Sequence, residues 1–321
     1  MKYNIAVLLG AISYGILSTI VVKAYDQGYS LGEVVGSQLL TGCLLAWALV
    51  CGLKVMERRR RSNGAGSGEA EASNETSSLT WKQRITLLLA GMPTAITGLL
   101  YYESLRTISN SLAILLLFQF TWMGVVIQAI ASRRRPNGIT LVTLAVLFAG
   151  TLLAAGIMEG AGHLNGKGVM LGLLSALSYT VFIIVSGKAV PHATATTRSA
   201  WMITGGLLLV FILFPPQFLI DGTIAGQLLL FGALLGFFGA FLPPLLFTYG
   251  VPYIGNGMAG ILGAAELPVA VSLSALVLGE HVSALRWLGI ALVLAGVALP
   301  ELTRHTRRTT PRYETPSISA S

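Results

Sequence analysis

Residues 5–24, IAVLLGAISYGILSTIVVKA, recur as residues 170–189, MLGLLSALSYTVFIIVSGKA, at a constant shift of 165 positions. Leu8, Leu9, Ala11, Ser13, Tyr14, Lys23 and Ala24 have identical partners in Leu173, Leu174, Ala176, Ser178, Tyr179, Lys188 and Ala189. Apolar stretches share leucine and alanine freely. A Ser-Tyr pair followed nine residues later by Lys is a polar pattern that chance seldom repeats. A second match carries residues 108–150 onto 254–296 at a shift of 146, through Ile108, Asn110, Ala113, Ala129, Ala145, Ala149 and Gly150. The shifts differ by 19 residues, about the size of a polar loop present only in the first half.

The solvent of this repeated unit is lipid. Of the 321 residues 54% are hydrophobic and 11% charged, and mean hydropathy is +0.74. A soluble domain carries about 25% charged residues, so this chain could not cover its apolar surface in water. Glycine, at 37 residues, suits membrane helices, which associate by close packing rather than by water exclusion.

A helix needs ~20 apolar residues to cross a ~30 Å hydrocarbon core. Ten such stretches occur, at 4–24, 32–53, 84–104, 108–131, 138–157, 168–188, 199–219, 226–249, 254–278 and 285–302. The first is read as a retained span, because no clean small-residue cleavage site follows it and its sequence recurs mid-chain. Residues 57–80 are low-complexity and polar, which predicts a disordered loop. Cys43 and Cys51, both in the second stretch, are predicted to lie ~12 Å apart along one helix, too far for a disulfide.

With ten spans both termini lie on one side. The other side receives only Lys23, Arg106, Lys167 and Arg286, leaving 17 of the 21 Lys and Arg on the side of the termini. Positive residues accumulate on the cytoplasmic face, so both termini are expected there, in the plasma or inner membrane. The same distribution, in short runs between spans, argues against a nucleic-acid partner for the net charge of +8.

The expected architecture is all-α and polytopic: ten transmembrane helices as two inverted five-helix repeats, 1–157 and 165–302, followed by a basic cytoplasmic tail, 303–321. Five is odd, so the second copy enters the membrane from the opposite side. Inverted repeats are a common plan of secondary transporters, which bind substrate near the midplane between the halves.

At ~1.5 Å per residue, Tyr14, Gln119, Tyr179 and Glu266 fall near mid-membrane and are cavity candidates, with Tyr102 and Trp122. Glu266 is the one ionisable side chain clearly at that depth. A charge there costs roughly 2.5–3.5 kcal/mol on insertion scales, so it must face a cavity, have a partner or carry a proton. The last suits a proton-coupled cycle; a hydrogen-bonded structural Glu beside Pro268 is the other reading. Lys23 and Lys188, at span ends, read first as snorkelling side chains, and their pairing across the repeat makes them candidate gating residues as well. Trp201 reads as an interface anchor. Pro93, Pro243-Pro244 and Pro268 predict kinks or hinges.

The second half, with Gly255-Asn256-Gly257-Met258-Ala259, Glu266-Leu267-Pro268, Leu278-Gly279-Glu280 and residues 289–296 (GIALVLAG), resembles the EamA-type transporters of the drug/metabolite transporter superfamily. So does the Tyr14/Lys23 and Tyr179/Lys188 pattern of the first helix of each half. The resemblance implies a ten-helix fold with a central cavity and movement of amino acids, metabolites or toxic compounds, often outward. A sugar or nucleotide-sugar carrier is the alternative within the superfamily, and a structural or regulatory membrane protein the alternative outside it. A membrane enzyme would need clustered His, Cys, Asp or Glu. The four histidines instead fall in loops or the tail, no phosphate-binding loop of the GKS/GKT kind occurs, and neither metal nor cofactor is called for.

Overall fold

The computed structural model of the chain describes residues 1–62, 79–108, 110–133, 136–154, 165–278 and 283–309. Most of the polar loop, the 155–164 connection between the repeats and the last twelve residues lie outside that set. Among the described residues every regular element is helical.

Eight helices are long and apolar enough to cross a membrane: Lys2–Asp26, Leu31–Glu57, Trp81–Ser104, Ala113–Ala131, Gly166–Lys188, Ala195–Leu213, Gln227–Ile254 and Asn256–Val277. Two shorter apolar helices, Gly138–Leu153 and Ala284–Gly296, fill the fifth and tenth places. We number them spans 1 to 10 in chain order. The chain is thus a multi-pass integral membrane protein of ten helices.

Two boundaries differ from the sequence reading. Span 7 runs from Ala195 to Leu213, not 199–219, because Pro215 forces Phe214 into an extended conformation and ends the helix. Arg198, which the 199–219 stretch leaves just outside the span, is therefore inside the helix and buried. The helix of span 10 continues to Thr309, so the beginning of the predicted tail is helical.

Much of the packing is symmetric under exchange of each span for the one five places later. Spans 5 and 10 pack on each other, as do 2 and 7, and 4 and 9; these pairs map onto themselves. Span 3 packs on 6 as span 8 packs on 1, span 3 on 7 as 8 on 2, and span 4 on 6 as 9 on 1.

Individual residues repeat the relation. Ser178 donates to the carbonyl of Pro93 at 2.8 Å, and Ser13 donates to that of Phe238 at 2.6 Å. Pro93 and Phe238 differ by 145 positions, one fewer than the 146 relating later residues. The π-turn Gly236–Phe241 supplies the difference, since such a turn accommodates one extra residue in a helix. Gly150 and Gly296 both lie at the span 5–10 crossing. A Cβ on Gly150 would lie 2.9 Å from the Val293 nitrogen, and one on Gly296 2.8 Å from a Leu147 methyl carbon. Gly91 and Gly205 let spans 3 and 7 touch backbone to backbone, while Gly42 and Gly236 do the same for spans 2 and 8.

Spans 1, 4 and 9 are interrupted midway, at Ile16, Phe118-Gln119 and Ala264-Ala265. Pro268 explains the last. Its ring cannot donate to the Ala264 carbonyl and clashes with it; the helix stops there, and Leu267 N–H takes that carbonyl at 3.2 Å.

Candidate functional site

The interruption in span 9 puts Glu266 in the first turn of the helix Glu266–Leu278, where unpaired backbone N–H groups favour a carboxylate. Span 1 crosses directly over it. A Cβ on Gly15 would stand 2.5 Å from the Glu266 carbonyl oxygen, so only glycine permits this approach. The next turns of span 1 bring Tyr14, Leu17 and Ser18 beside the same space.

That space is a cavity of about 70 Å³ at the centre of the bundle. Its polar lining is Tyr14 and Ser18 from span 1, Gln38 from span 2, Thr94, Thr97, Tyr101 and Tyr102 from span 3, Tyr179 from span 6 and Glu266 from span 9. Both repeats therefore contribute. The Glu266 carboxyl is near enough to act electrostatically on the hydroxyls of Tyr14, Tyr101, Tyr102 and Tyr179.

Several of these polar groups have no protein partner. Tyr102 donates to Gln38 Oε1 at 3.2 Å. By contrast the Tyr14 and Tyr179 hydroxyls, Ser18 Oγ and Glu266 Oε2 are buried with no hydrogen-bond partner among the described residues. A buried polar group left unpaired in protein costs free energy, and four converging on one cavity point to polar contents. Glu266 is only 9% exposed.

The cavity occupies one side of the midplane. Its lining comes from the later parts of spans 1 and 3 and the earlier part of span 2, all away from the face on which span 1 begins. Toward that face Tyr14 and Tyr179, which meet edge to face, are backed by Phe120, Phe182 and Phe247, each fully buried. Phe120 meets Tyr179 edge to face at 4.6 Å between ring centroids, and Phe182 and Phe247 are 5.9 Å apart.

Of the six cavity candidates, the fold brings together Tyr14, Tyr102, Tyr179 and Glu266. Gln119 and Trp122 line a different pocket, between spans 4 and 5, with Leu144, Phe148 and Thr151. There Trp122 Nε1 donates to Gln119 Oε1 at 2.8 Å, with Trp122 43% exposed. Lys23 and Lys188 are exposed in the last turns of their helices, at opposite faces of the bundle. Trp201 packs on Trp47, ring centroids 5.4 Å apart, under the Arg84 guanidinium.

Gln38, Thr94 and Thr97 were not singled out from sequence, whereas Tyr101, like Tyr102, is an aromatic that the sequence offers for a cavity wall. Tyr101 adjoins Tyr102, and no periodic signal separates the lining face from the others. Arg198 was missed as well: it donates to the carbonyls of Ser186 and Thr248, tying span 7 to spans 6 and 8. Among the described residues no three His, Cys, Asp or Glu side chains gather to hold a metal.

Residues 166–300 match the EamA-like transporter family. An uncharacterized transporter of Archaeoglobus fulgidus is 31% identical over 133 residues, 41% of this chain and 47% of that protein. The uncharacterized inner membrane transporter YicL of Salmonella typhimurium is 27% identical over 236 residues, 70% of this chain and 76% of that one. The threonine/homoserine exporter RhtA of the same species is 27% identical over 221 residues, 67% and 70% of the two chains. A solved crystal structure superposes with a TM-score of 0.67 at 15% identity, over 93% of this chain and 98% of the other, a likeness of fold.

Proposed function

Because this chain is an EamA-type member of the drug/metabolite transporter superfamily, a multi-pass carrier of small molecules, we propose that it is a secondary active exporter using alternating access. The observation that carries this reading is the placement of the cavity: between the two repeats, on one side of Tyr14 and Tyr179, with Phe120, Phe182 and Phe247 filling the other. Positive charge on the near side favours cytoplasmic termini in the cell membrane. The geometry then corresponds to the outward-facing arm of the cycle.

The repeat supplies the other arm. A shift of 165 carries Phe182 onto Leu17, and a shift of 146 carries Phe247 onto Tyr101 and Phe120 onto Glu266. Leu17, Tyr101 and Glu266 all line the present cavity. In the inward-facing state these three close the outer side, and the three phenylalanines line the inner one. Residues 1–157 and 165–302 act as the two moving halves. Lys23 and Lys188 stand at opposite faces as candidate gate residues, and Glu266 is the candidate for proton coupling.

The superfamily alternative, a nucleotide-sugar carrier, is less well served. Its diphosphate would meet a carboxyl, with no basic side chain among the lining residues. Flux from proteoliposomes tests the reading, using threonine, homoserine, other amino acids, sugars and nucleotide sugars, with and without an imposed proton gradient. Saturable flux of at least one compound class is expected. Failure of every class would leave a structural or regulatory membrane protein.

A further inference from the structure

The void between spans 4 and 5 holds about 270 Å³, more than the central cavity. It exceeds the roughly 150 Å³ at which an apolar protein cavity takes up benzene. Trp122 and Phe148, both exposed, open it toward lipid. Phe118, itself buried, lines this void and the central cavity alike, so at that point one residue stands between bilayer and cavity.

Phe118 sits where span 4 is interrupted, between the helices Asn110–Leu117 and Phe120–Ser132. There the Gln119 N–H turns to the Leu116 carbonyl at 3.2 Å. The Leu115 carbonyl, its partner in a continuous helix, is taken instead by Gln119 Nε2 at 3.1 Å. Trp122 donates to Gln119 Oε1, Thr121 to the Phe118 carbonyl and Thr151 to that of Leu147. Each polar side chain of the void thus has a partner, and no lining residue is charged. The second repeat does not copy the arrangement: a shift of 146 carries Phe118 and Gln119 onto Ala264 and Ala265, and Trp122 onto Pro268.

An uncharged, aromatic-walled space with its polar groups already paired offers nothing to an ion or a sugar, which would lose its hydration there without return. It suits a neutral compound with an aromatic ring, which its own hydrophobicity concentrates in the bilayer. Resting on the transport reading above, we infer that the space between spans 4 and 5 is a side entrance through which neutral, aromatic, membrane-dissolved compounds reach the central cavity. Trp122 and Phe148 frame its mouth, and Phe118 is the side chain that turns aside at the break in span 4.

Thiol labelling in lipid nanodiscs tests this, on the full chain with Cys43 and Cys51 replaced by serine and Thr97→Cys placed in the cavity. N-phenylmaleimide, neutral and aromatic, is the lipid-borne probe; the anionic 2-sulfonatoethyl methanethiosulfonate reaches the cavity from water alone. Phe118→Ala is expected to speed the maleimide reaction about tenfold, the effect of a barrier lowered by ~1.4 kcal/mol. Ala145→Trp adds bulk at an exposed edge of the void; it should slow the maleimide as much and leave the sulfonate's rate unchanged. If Ala145→Trp does not fold, Leu144→Phe narrows the same void in its place. An unaltered maleimide rate in both variants, or equal slowing of the two reagents by the blocking one, overturns the inference. Maleimide entry that follows Phe118 and Ala145 while no compound is carried in the flux assay would remove the transport reading and leave the entrance. Flux with labelling blind to both variants would do the reverse.

Discussion

Tyr14 and Tyr179, 165 positions apart in the chain, meet edge to face at the centre of the bundle, ring centroids 5.7 Å apart and planes at 85°. They occupy equivalent positions of the sequence repeat, so their contact joins the two halves of the chain. The cavity lies on one side of this pair and packed phenylalanine on the other. Any motion that exchanges the two sides must take place around it.

The two hydroxyls bond to no other described residue, so Tyr14→Phe and Tyr179→Phe are expected to leave thermal stability in detergent unchanged or slightly raised, since no protein hydrogen bond is lost. Substrate affinity should fall about fivefold in each, the worth of one ~1 kcal/mol hydrogen bond. Loss of stability with affinity intact would assign the hydroxyls to the fold.

Gly15 is expected to tolerate nothing larger. A Cβ there meets the Glu266 carbonyl and, at 2.7 Å, the Cβ of Val269. Gly15→Ala should destabilise by roughly 1–3 kcal/mol, the usual cost of overpacking. Gly52→Ala is the control: nothing lies within 4 Å of its added carbon, and a helical glycine replaced by alanine gains up to about 1 kcal/mol. Thermal unfolding of the two variants should move in opposite directions.

Ser13 and Ser178 make equivalent bonds to equivalent backbone carbonyls, so Ser13→Ala and Ser178→Ala should cost similar amounts. About 0.6 kcal/mol each is typical of interhelical hydrogen bonds in membranes. The double variant should show their sum, since they join different pairs of helices. A large inequality between the singles would show that the repeat symmetry stops at geometry.

Alternating access makes a prediction about cross-linking. With Cys43 and Cys51 replaced by serine, Phe182→Cys with Phe247→Cys should form a disulfide in the outward-facing state, and Leu17→Cys with Tyr101→Cys in the inward-facing one. Substrate should shift the two yields in opposite directions. Yields that rise together, or neither responding, would reject the exchange of gates.

Proton coupling has its own test. If Glu266 carries the coupled proton, Glu266→Gln should abolish gradient-driven flux while leaving the folded yield intact. Normal gradient dependence in that variant would remove the role.

The sequence by itself determined the all-helical class, the ten apolar spans and their duplication in sequence, and from these it leads to the expectation that the two halves insert in opposite directions. Hydropathy and self-similarity are local properties, and an odd number of spans per repeat dictates inversion whatever the packing. It also named Tyr14, Tyr102, Tyr179 and Glu266, four residues that line one cavity. What it lacked was the rotational setting of each helix. Spans apolar on every side carry no amphipathic stripe to say which face looks inward, so depth alone grouped Gln119 and Trp122 with the cavity residues. Only packing turned those two toward a pocket between spans 4 and 5 and brought Gln38, Thr94 and Thr97 to the centre. Packing also buried Arg198, through contacts with carbonyls 12 and 50 positions away that no local pattern encodes.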